Sequence, residues 1–302
     1  MQFSIMTEPQ LGGTYEQILR AARLAETAGL HSFARSDHLA WQREAALDAT
    51  DAFATMGGLA RDTHTVRLAV LVTPITFRHP AIIAKNAATI DQMSGGRFDL
   101  GIGTGWNDFE HEALGIPFPG APERWARLED ALGYLEMAFN PDSGTHSGPF
   151  YSLDLDVRPK PAGLRLIVGG SGPRRTPALA GARADEYNIF ICPVDEARDK
   201  IQVMRDAAGD RVVETTMMGP VTVAGTDAEL AELIASTAAR RHITSDELIA
   251  RWERSGMLFG TPTRLQEKMA ALEEAGVQRI YLQWLDLSDY DGLARMVELA
   301  RG

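Results

Sequence analysis

Val66-Arg67-Leu68-Ala69-Val70-Leu71-Val72-Thr73-Pro74 is an almost unbroken aliphatic run. Such a run fits a strand covered on both faces better than one with a face open to water. A stretch of helical period follows from about Pro80 to Met93, with Pro80 suited to a first turn, and then a second short strand from Arg97 to Gly103. Strand, helix and strand in this order make a βαβ unit, whose two strands are parallel.

The same cycle extends in both directions. Upstream, Phe3 to Met6 reads as a strand and Tyr15 to Ala28 as a helix, with Tyr15, Ile18, Leu19, Ala22 and Ala25 on one face and Gly29 as its stop. Ser32 to Arg35 is strand two, and a helix from about Ala49 to Ala60 follows it. Downstream lies a long helix from Pro122 to Phe139, on which Trp125, Leu128, Leu132, Leu135 and Phe139 form a packing stripe. Asn140 to Lys160 breaks the rhythm with Pro141, Gly144, Gly148, Pro149 and Pro159, and reads as an excursion over the barrel mouth. The alternation resumes with a strand at Leu164–Gly169, a helix at Pro173–Arg183 and a strand at Tyr187–Cys192. Strand seven falls within Thr215 to Val223, and helical stretches at Asp227–Arg241 and Ser245–Arg254 follow. Thr261-Pro262 caps a helix that ends at Gly276, Arg279 to Leu285 is strand eight, and a helix over Gly292–Ala300 closes the chain. Eight strand–helix units without a linker predict one α/β domain over 1–302: a (β/α)8 TIM barrel with an insertion between strands 4 and 5. An open doubly wound sheet is the competitor, and a length of 302 residues favours the barrel.

Composition narrows the function. Thirty Lys and Arg against 41 Asp and Glu give a net charge of −11, and the basic residues form no runs, which argues against nucleic acid as a partner. The single cysteine, Cys192, rules out an internal disulfide and a Cys-rich zinc site and suits a reducing cytoplasm. No stretch approaches the ~20 apolar residues of a membrane span, and the N-terminus lacks a signal-peptide pattern. The expectation is a cytoplasmic enzyme acting on a small molecule.

The unusual residues gather where strands end. Ser36-Asp37-His38 follows strand two, Thr73-Pro74 ends strand three, Gly103-Thr104-Gly105-Trp106 follows strand four and Gly169-Gly170-Ser171-Gly172-Pro173 follows strand five. In a β/α barrel these ends form one face, where active sites lie. The last segment runs from a strand into a helix, so its glycines admit a ligand to the backbone and free N–H groups can meet an anion, with Arg174 and Arg175 able to add charge-assisted bonds. A tight turn with two solvated arginines fits the spacing equally well. His38 can move a proton near neutral pH, and Asp37 can accept from a ligand or orient its neighbour, although such a pair in a loop is more often structural. Most of the other histidines read as surface residues. Asp108, Glu110, His111 and Glu112 crowd together without metal-ligand spacing and read as a solvated helix face, so no metal is expected.

Taken in order, these segments resemble the luciferase-like flavin/deazaflavin superfamily, in its F420-dependent oxidoreductase branch. The stretches that carry the resemblance include Thr7-Glu8-Pro9-Gln10, Arg35-Ser36-Asp37-His38, Leu71 to Arg78, Asp91 to Arg97, Gly101 to Trp106, Gly115 to Pro119, Gly169 to Pro173 and Phe259-Gly260-Thr261-Pro262. The resemblance implies coenzyme F420 at the C-terminal face, with FMN as the alternative. It places Asp37 and His38 beside the ring, with His38 as proton donor or acceptor, and Gly103, Gly105 and Trp106 against cofactor and substrate. It also implies a non-proline cis peptide at Val70-Leu71 near Thr73, and a phosphate loop at Gly169, Gly170, Ser171 and Gly172 with Arg174 and Arg175. Asp37, His38 and Trp106 are thus the expected catalytic residues. Relatives that oxidise a sugar phosphate place a glutamate after Gly-Thr-Gly, where Trp106 stands here, and the approach to strand five from Pro159 to Leu166 is shorter than in many relatives. The implied function is hydride transfer between F420 and a small organic substrate in a homodimer. The alternatives are an FMN-dependent monooxygenase fed by a separate flavin reductase, and a non-catalytic F420- or flavin-binding protein.

Overall fold

Eight parallel strands, covered on both faces so that nearly every residue of β2, β3 and β4 is buried, organise the chain. In the computed structural model, which describes residues 1–41, 47–142 and 144–301, β1 (Gln2–Thr7) leads through α1 (Tyr15–Thr27) to β2 (Ser32–Arg35). α2 (Ala52–Asp62), β3 (Arg67–Pro74), α3 (Pro80–Ser94) and β4 (Phe98–Gly103) follow. The β4 connection carries a short α4 (Asp108–Leu114), the long α5 (Ala121–Phe139) and a small hairpin, β5 (His146–Ser147) with β6 (Ser152–Leu153). Then come β7 (Arg165–Gly170), α6 (Arg175–Arg183), β8 (Glu186–Phe190), α7 (Val194–Ala208) and β9 (Glu214–Val223). α8 (Asp227–Arg240), α9 (Ser245–Ser255), the short β10 (Leu258–Gly260), α10 (Pro262–Ala275), β11 (Arg279–Trp284) and α11 (Tyr290–Arg301) complete the order.

Eight of these strands close a parallel barrel in the order β9-β11-β1-β2-β3-β4-β7-β8, and β8 pairs back onto β9 through Asn188 opposite Thr216. β10 only extends the rim, pairing with Val221–Val223. The fold is the expected (β/α)8 barrel. Local sequence sets the helix starts. The Thr14 side chain accepts from the Gln17 backbone N–H while the Gln17 side chain returns the bond, and Asp51 accepts from the Ala54 N–H. That cap starts α2 at Ala52, later than the hydrophobic pattern alone suggests. α6 likewise begins at Arg175, so the turn after β7 extends through Pro173 and Arg174. Thr261 stands before α10 in extended conformation, but its side chain makes no cap bond.

Outward-facing strand residues such as Ile5, Phe33, Leu68, Leu100, Val168, Tyr187 and Ile280 pack against the helices in one continuous core. The inward-facing residues form layers. At the N-terminal end the layer is ionic. Arg279 bonds Glu186 and, at 2.7 Å, Glu214, which also takes Arg165 at 2.5 Å, while Arg67 pairs with Asp99 at 2.5 Å. Above it Met6, Ala34, Ala69, Leu71, Ile167 and Tyr281 form an apolar plug. A satellite cluster of Leu230, Ile234, Leu248, Trp252 and Met257 joins α8 to α9.

The excursion after α5 does not cross the mouth. The Asp130 carboxylate on α5 accepts from the Phe150 and Tyr151 N–H groups and pairs with His146, and Lys85 on α3 reaches the Arg158 carbonyl. Asp91 on α3 accepts from the Ala162 and Gly163 N–H groups. Like every barrel helix, α5 ends at the N-terminal face where β7 must begin, so the intervening chain runs along the flank of α3 and α5. No helix among the described residues is long and apolar enough to cross a membrane.

Candidate active site

The third strand shapes the floor of the mouth. Val70 pairs with Leu100 and Thr73 with Ile102, so β3 carries one residue more than β4 across that interval and bulges. The non-proline cis peptide lies at Leu71–Val72, one residue beyond the expected Val70–Leu71, within this bulge. Leu71 and Val72 consequently both join the inner cluster. Glycines on the neighbouring strands make room for Val72. A Cβ at Gly101 would meet the Val70 carbonyl at 2.4 Å and Val72 Cγ1 at 2.8 Å, and one at Gly103 or Gly169 would meet a Val72 methyl at 3.0 Å. Gly103 and Gly169, expected as ligand-contacting positions, thus have a packing reason as well. Gly105, at φ +76°, turns the chain beside Pro74 and Thr76.

His38 follows the C-terminal end of β2. Its Nδ1 lies 2.8 Å from Glu110 Oε1, and Glu110 Oε2 accepts from the Leu39 N–H at 2.9 Å. Among the described residues His38 Nε2 has no protein partner, so it is the nitrogen open to a ligand. Burial disfavours the imidazolium, but the hydrogen bond and charge of Glu110, with the carboxylates of Glu8 and Asp37 behind it, outweigh this and raise the His38 pKa. Trp106, 66% exposed, meets the His38 ring edge-on at a centroid distance of 5.5 Å, and Trp41 stands 6.0 Å from His38 and 5.9 Å from Trp106.

Asp37 does not orient His38. It is buried and takes both arms of Arg78, at 2.5 and 3.2 Å, while Arg78 also reaches Asp51 at 2.6 Å. Arg78 is consumed by these two carboxylates and also lies 3.5 Å from Thr73 Oγ1. Arg175 pairs with Glu129 at 3.1 Å and lies over the Trp125 ring, facing α5. Arg174 is exposed and free of protein partners among the described residues, in the turn with Gly170, Ser171 and Gly172. A Cβ at Gly172 would strike Thr176 Oγ1 at 2.8 Å, so the turn stays open only with glycine there.

The sequence did not single out several residues that the fold brings in. Glu110 and His111 were expected on a solvated face, but both are buried. His111 holds Thr76 Oγ1 at 2.7 Å and the Asn107 carbonyl at 2.6 Å between Phe77 and Phe118, which pins α4 to the loop after β3. Only the outer side of α4 meets water. A buried carboxylate, Glu8, accepts from Gln283 at 2.5 Å and Gln10 at 2.6 Å, and Gln10 accepts from Ser36 Oγ at 2.8 Å. This amide-linked chain runs across the mouth beside His38 and fixes the ends of β11, β1 and β2 together.

The pattern of the luciferase-like monooxygenase family matches residues 1–279. The chain is 34% identical over 179 residues to an F420-dependent glucose-6-phosphate dehydrogenase of Beutenbergia cavernae, covering 58% of this chain and 52% of that one. It is 26% identical over 256 residues to an FMNH(2)-dependent dimethylsulfone monooxygenase of Pseudomonas fluorescens, covering 74% of this chain and 70% of that one. The chain thus spans about half the length of the dehydrogenase relative. The fold matches a solved F420-dependent secondary alcohol dehydrogenase in complex with an F420-acetone adduct at TM-score 0.79 and 21% identity, over 99% of this chain and 97% of that one. With the profile spanning almost the whole barrel, the chain belongs to the luciferase-like monooxygenase family.

Proposed function

We propose that the protein is an F420-dependent oxidoreductase of a small organic substrate, with His38 as the residue that moves the proton. The observation that carries this reading is the His38–Glu110 pair, which leaves Nε2 open beside Trp106 at the barrel mouth. The residues fit such a cofactor: Val72 sits among Gly101, Gly103 and Gly169 as an apolar floor for a flat ring, and the Gly170–Gly172 turn with Arg174 leaves backbone N–H groups and one free guanidinium for a phosphate. Coenzyme F420, when bound, accepts or returns a hydride at C5. The balancing proton is the substrate's own, taken by His38 Nε2 in oxidation and given back in reduction. Glu110 holds the imidazole in the tautomer that leaves Nε2 as acceptor and supports the imidazolium once formed. Asp37 acts through Arg78, tying the ends of β2 and β3, and Trp106 and Trp41 exclude water from the His38 edge.

The FMNH(2)-dependent relative keeps a second reading in view, a monooxygenase that receives reduced flavin from a reductase. Titrating the purified protein with F420 and with FMN, each followed by fluorescence, separates the two. Tight F420 binding with substrate-dependent change at the deazaflavin absorbance supports the proposal. Substrate-dependent oxygen uptake with FMNH2 and no F420 turnover would sink it. Binding of either cofactor without turnover of any substrate would leave a cofactor carrier in its place.

A further inference from the structure

An inward-facing polar side chain in a barrel needs a partner in the wall or in the cavity above it. Asn188, in the middle of β8, has one in the wall for only half of its amide. Its Nδ2 donates to Thr216 Oγ1 at 2.9 Å, and Thr216 Oγ1 donates in turn to Glu186 Oε1 at 2.7 Å. Glu186 is the buried partner of Arg279 and also accepts from the Tyr281 hydroxyl. A threonine hydroxyl carries a single proton, and here the carboxylate takes it, so the hydroxyl can offer Asn188 only a lone pair. That fixes the amide, with its nitrogen to the wall and its carbonyl oxygen away from it. Among the described residues Asn188 Oδ1 has no protein partner, and the polar atoms sealed from solvent without one belong to other residues, such as Tyr187 and Arg279. Oδ1 is therefore an acceptor open to the cavity.

The position of this acceptor matters as much as its orientation. Asn188 pairs with Gly169 on β7, and a Cβ at Gly169 would lie 3.6 Å from Asn188 Cβ and 3.0 Å from Val72 Cγ1. The missing side chain leaves a seat on the inner face of the barrel, with the Val72 floor on one side and Asn188 on the other. One residue further along β7 begins the Gly170–Gly172 turn, so the seat lies between the apolar floor and the open backbone N–H groups.

We infer that Asn188 is a cofactor-binding residue, whose Oδ1 accepts the imide N–H of a flat ring lying on Val72. This rests on the proposed function for the presence of a ring cofactor and not for which one, because F420 and FMN share a pyrimidinedione edge with an N–H between two carbonyls. An acceptor with its own donor turned away attracts the N–H and repels the carbonyls, so Asn188 sets where along the floor the ring stops. Thr216 and Glu186 are positioning residues that keep the oxygen turned to the cavity.

The test compares ligands that differ only at that nitrogen. Binding of FMN and 3-methyl-FMN, and of the F420 chromophore and its 3-methyl derivative, is followed by fluorescence in the wild type, in Asn188→Leu and in Asn188→Ala, the last covering the case in which leucine overpacks the wall. In the wild type the methylated member of whichever pair binds should be weaker on the order of tenfold, as the loss of one hydrogen bond in a buried site predicts. Both variants should weaken the parent ligand and lose the preference for it over the methylated one. That preference is a ratio taken within one protein, so lost stability does not move it, and an asparagine with a merely structural role would leave it unchanged. Equal binding of parent and methylated ligand by the wild type, a preference that survives in both variants, or failure of both rings to bind would each overturn the inference. Binding of FMN alone, with the expected preference, would reject the F420 function and leave Asn188 in its role, whereas F420 binding without a preference would do the reverse.

Discussion

Glu110 sits 72 residues from His38 in the chain and 2.8 Å from it in space, and is almost fully buried where the histidine retains an open edge. The carboxylate has no salt bridge to a lysine or arginine among the described residues, and its two oxygens are divided between the imidazole and the backbone N–H groups of Leu39 and Ala40. It therefore fixes both the position of the ring and the side from which the ring can exchange a proton.

Replacing Glu110 with Gln keeps the shape and removes the charge that raises the His38 pKa. The inflection of the pH–rate profile should move to lower pH in the variant, in either direction of reaction, because the protonated imidazole loses its main stabilising partner. His38→Ala should lower turnover by about 100-fold or more and abolish that inflection. An E110Q profile superimposable on the wild type would remove Glu110 from the proton-handling role.

Arg279 and Glu186 at the opposite end of the barrel are both fully buried, and Arg165 makes only a longer ion pair to Glu186, at 3.7 Å. Arg279→Met should destabilise the protein by about 3–5 kcal/mol, since removing one member of a buried pair leaves an uncompensated charge. The deficit should shrink as pH falls, because a proton on Glu186 neutralises that charge. Urea unfolding at two pH values checks both statements, and an equal deficit at each would point to lost packing instead.

Gly101→Ala should cost about 1–3 kcal/mol, the usual penalty of overpacking, since its new methyl would lie 2.4 Å from the Val70 carbonyl. Val72→Ala clears only the second contact, at 2.8 Å, and should not rescue it. A full rescue in the double variant would show that the valine methyl, and not the bulged backbone, sets the requirement for glycine.

These residues mark what the sequence could and could not disclose. The Val66–Pro74 run, the α1 face and the Gly276 stop depend on neighbours within a turn or a strand, so periodicity reads them. Glu110, Glu8 and Gln283 acquire their meaning from partners 72 and 275 residues away, which no local pattern encodes. Four polar residues within five positions of α4 looked like a wet face because a short helix gives too few turns for the buried side of Glu110 and His111 to show as a period. The cis peptide lies at Leu71–Val72, one residue beyond the place the resemblance implies and within the bulge between Val70 and Thr73. Asp37 reads in the sequence as able to orient its neighbour His38, but the β3–α3 loop brings Arg78 within bidentate reach of it.

Glu26 offers a test of stability away from the mouth. Its carboxylate, on α1, accepts from the backbone N–H groups of His64 and Thr65 at 2.7 and 2.6 Å, from that of Val66 at 3.3 Å and from the Thr65 hydroxyl. Partial burial opposes the charge, yet these bonds prevail and lower the pKa to about 2. A carboxyl with a depressed folded-state pKa contributes stability above its unfolded value of roughly 4.3, and that contribution drains away as pH falls toward the folded value. The wild type should therefore exceed Glu26→Gln in melting temperature by a constant margin at neutral pH. Between about pH 4 and pH 2 the margin should narrow, because protonation makes the two side chains alike as acceptors at the start of β3. A margin that held unchanged to pH 2 would mean that the neutral carbonyl of glutamine differs from the carboxylate through packing and not through charge.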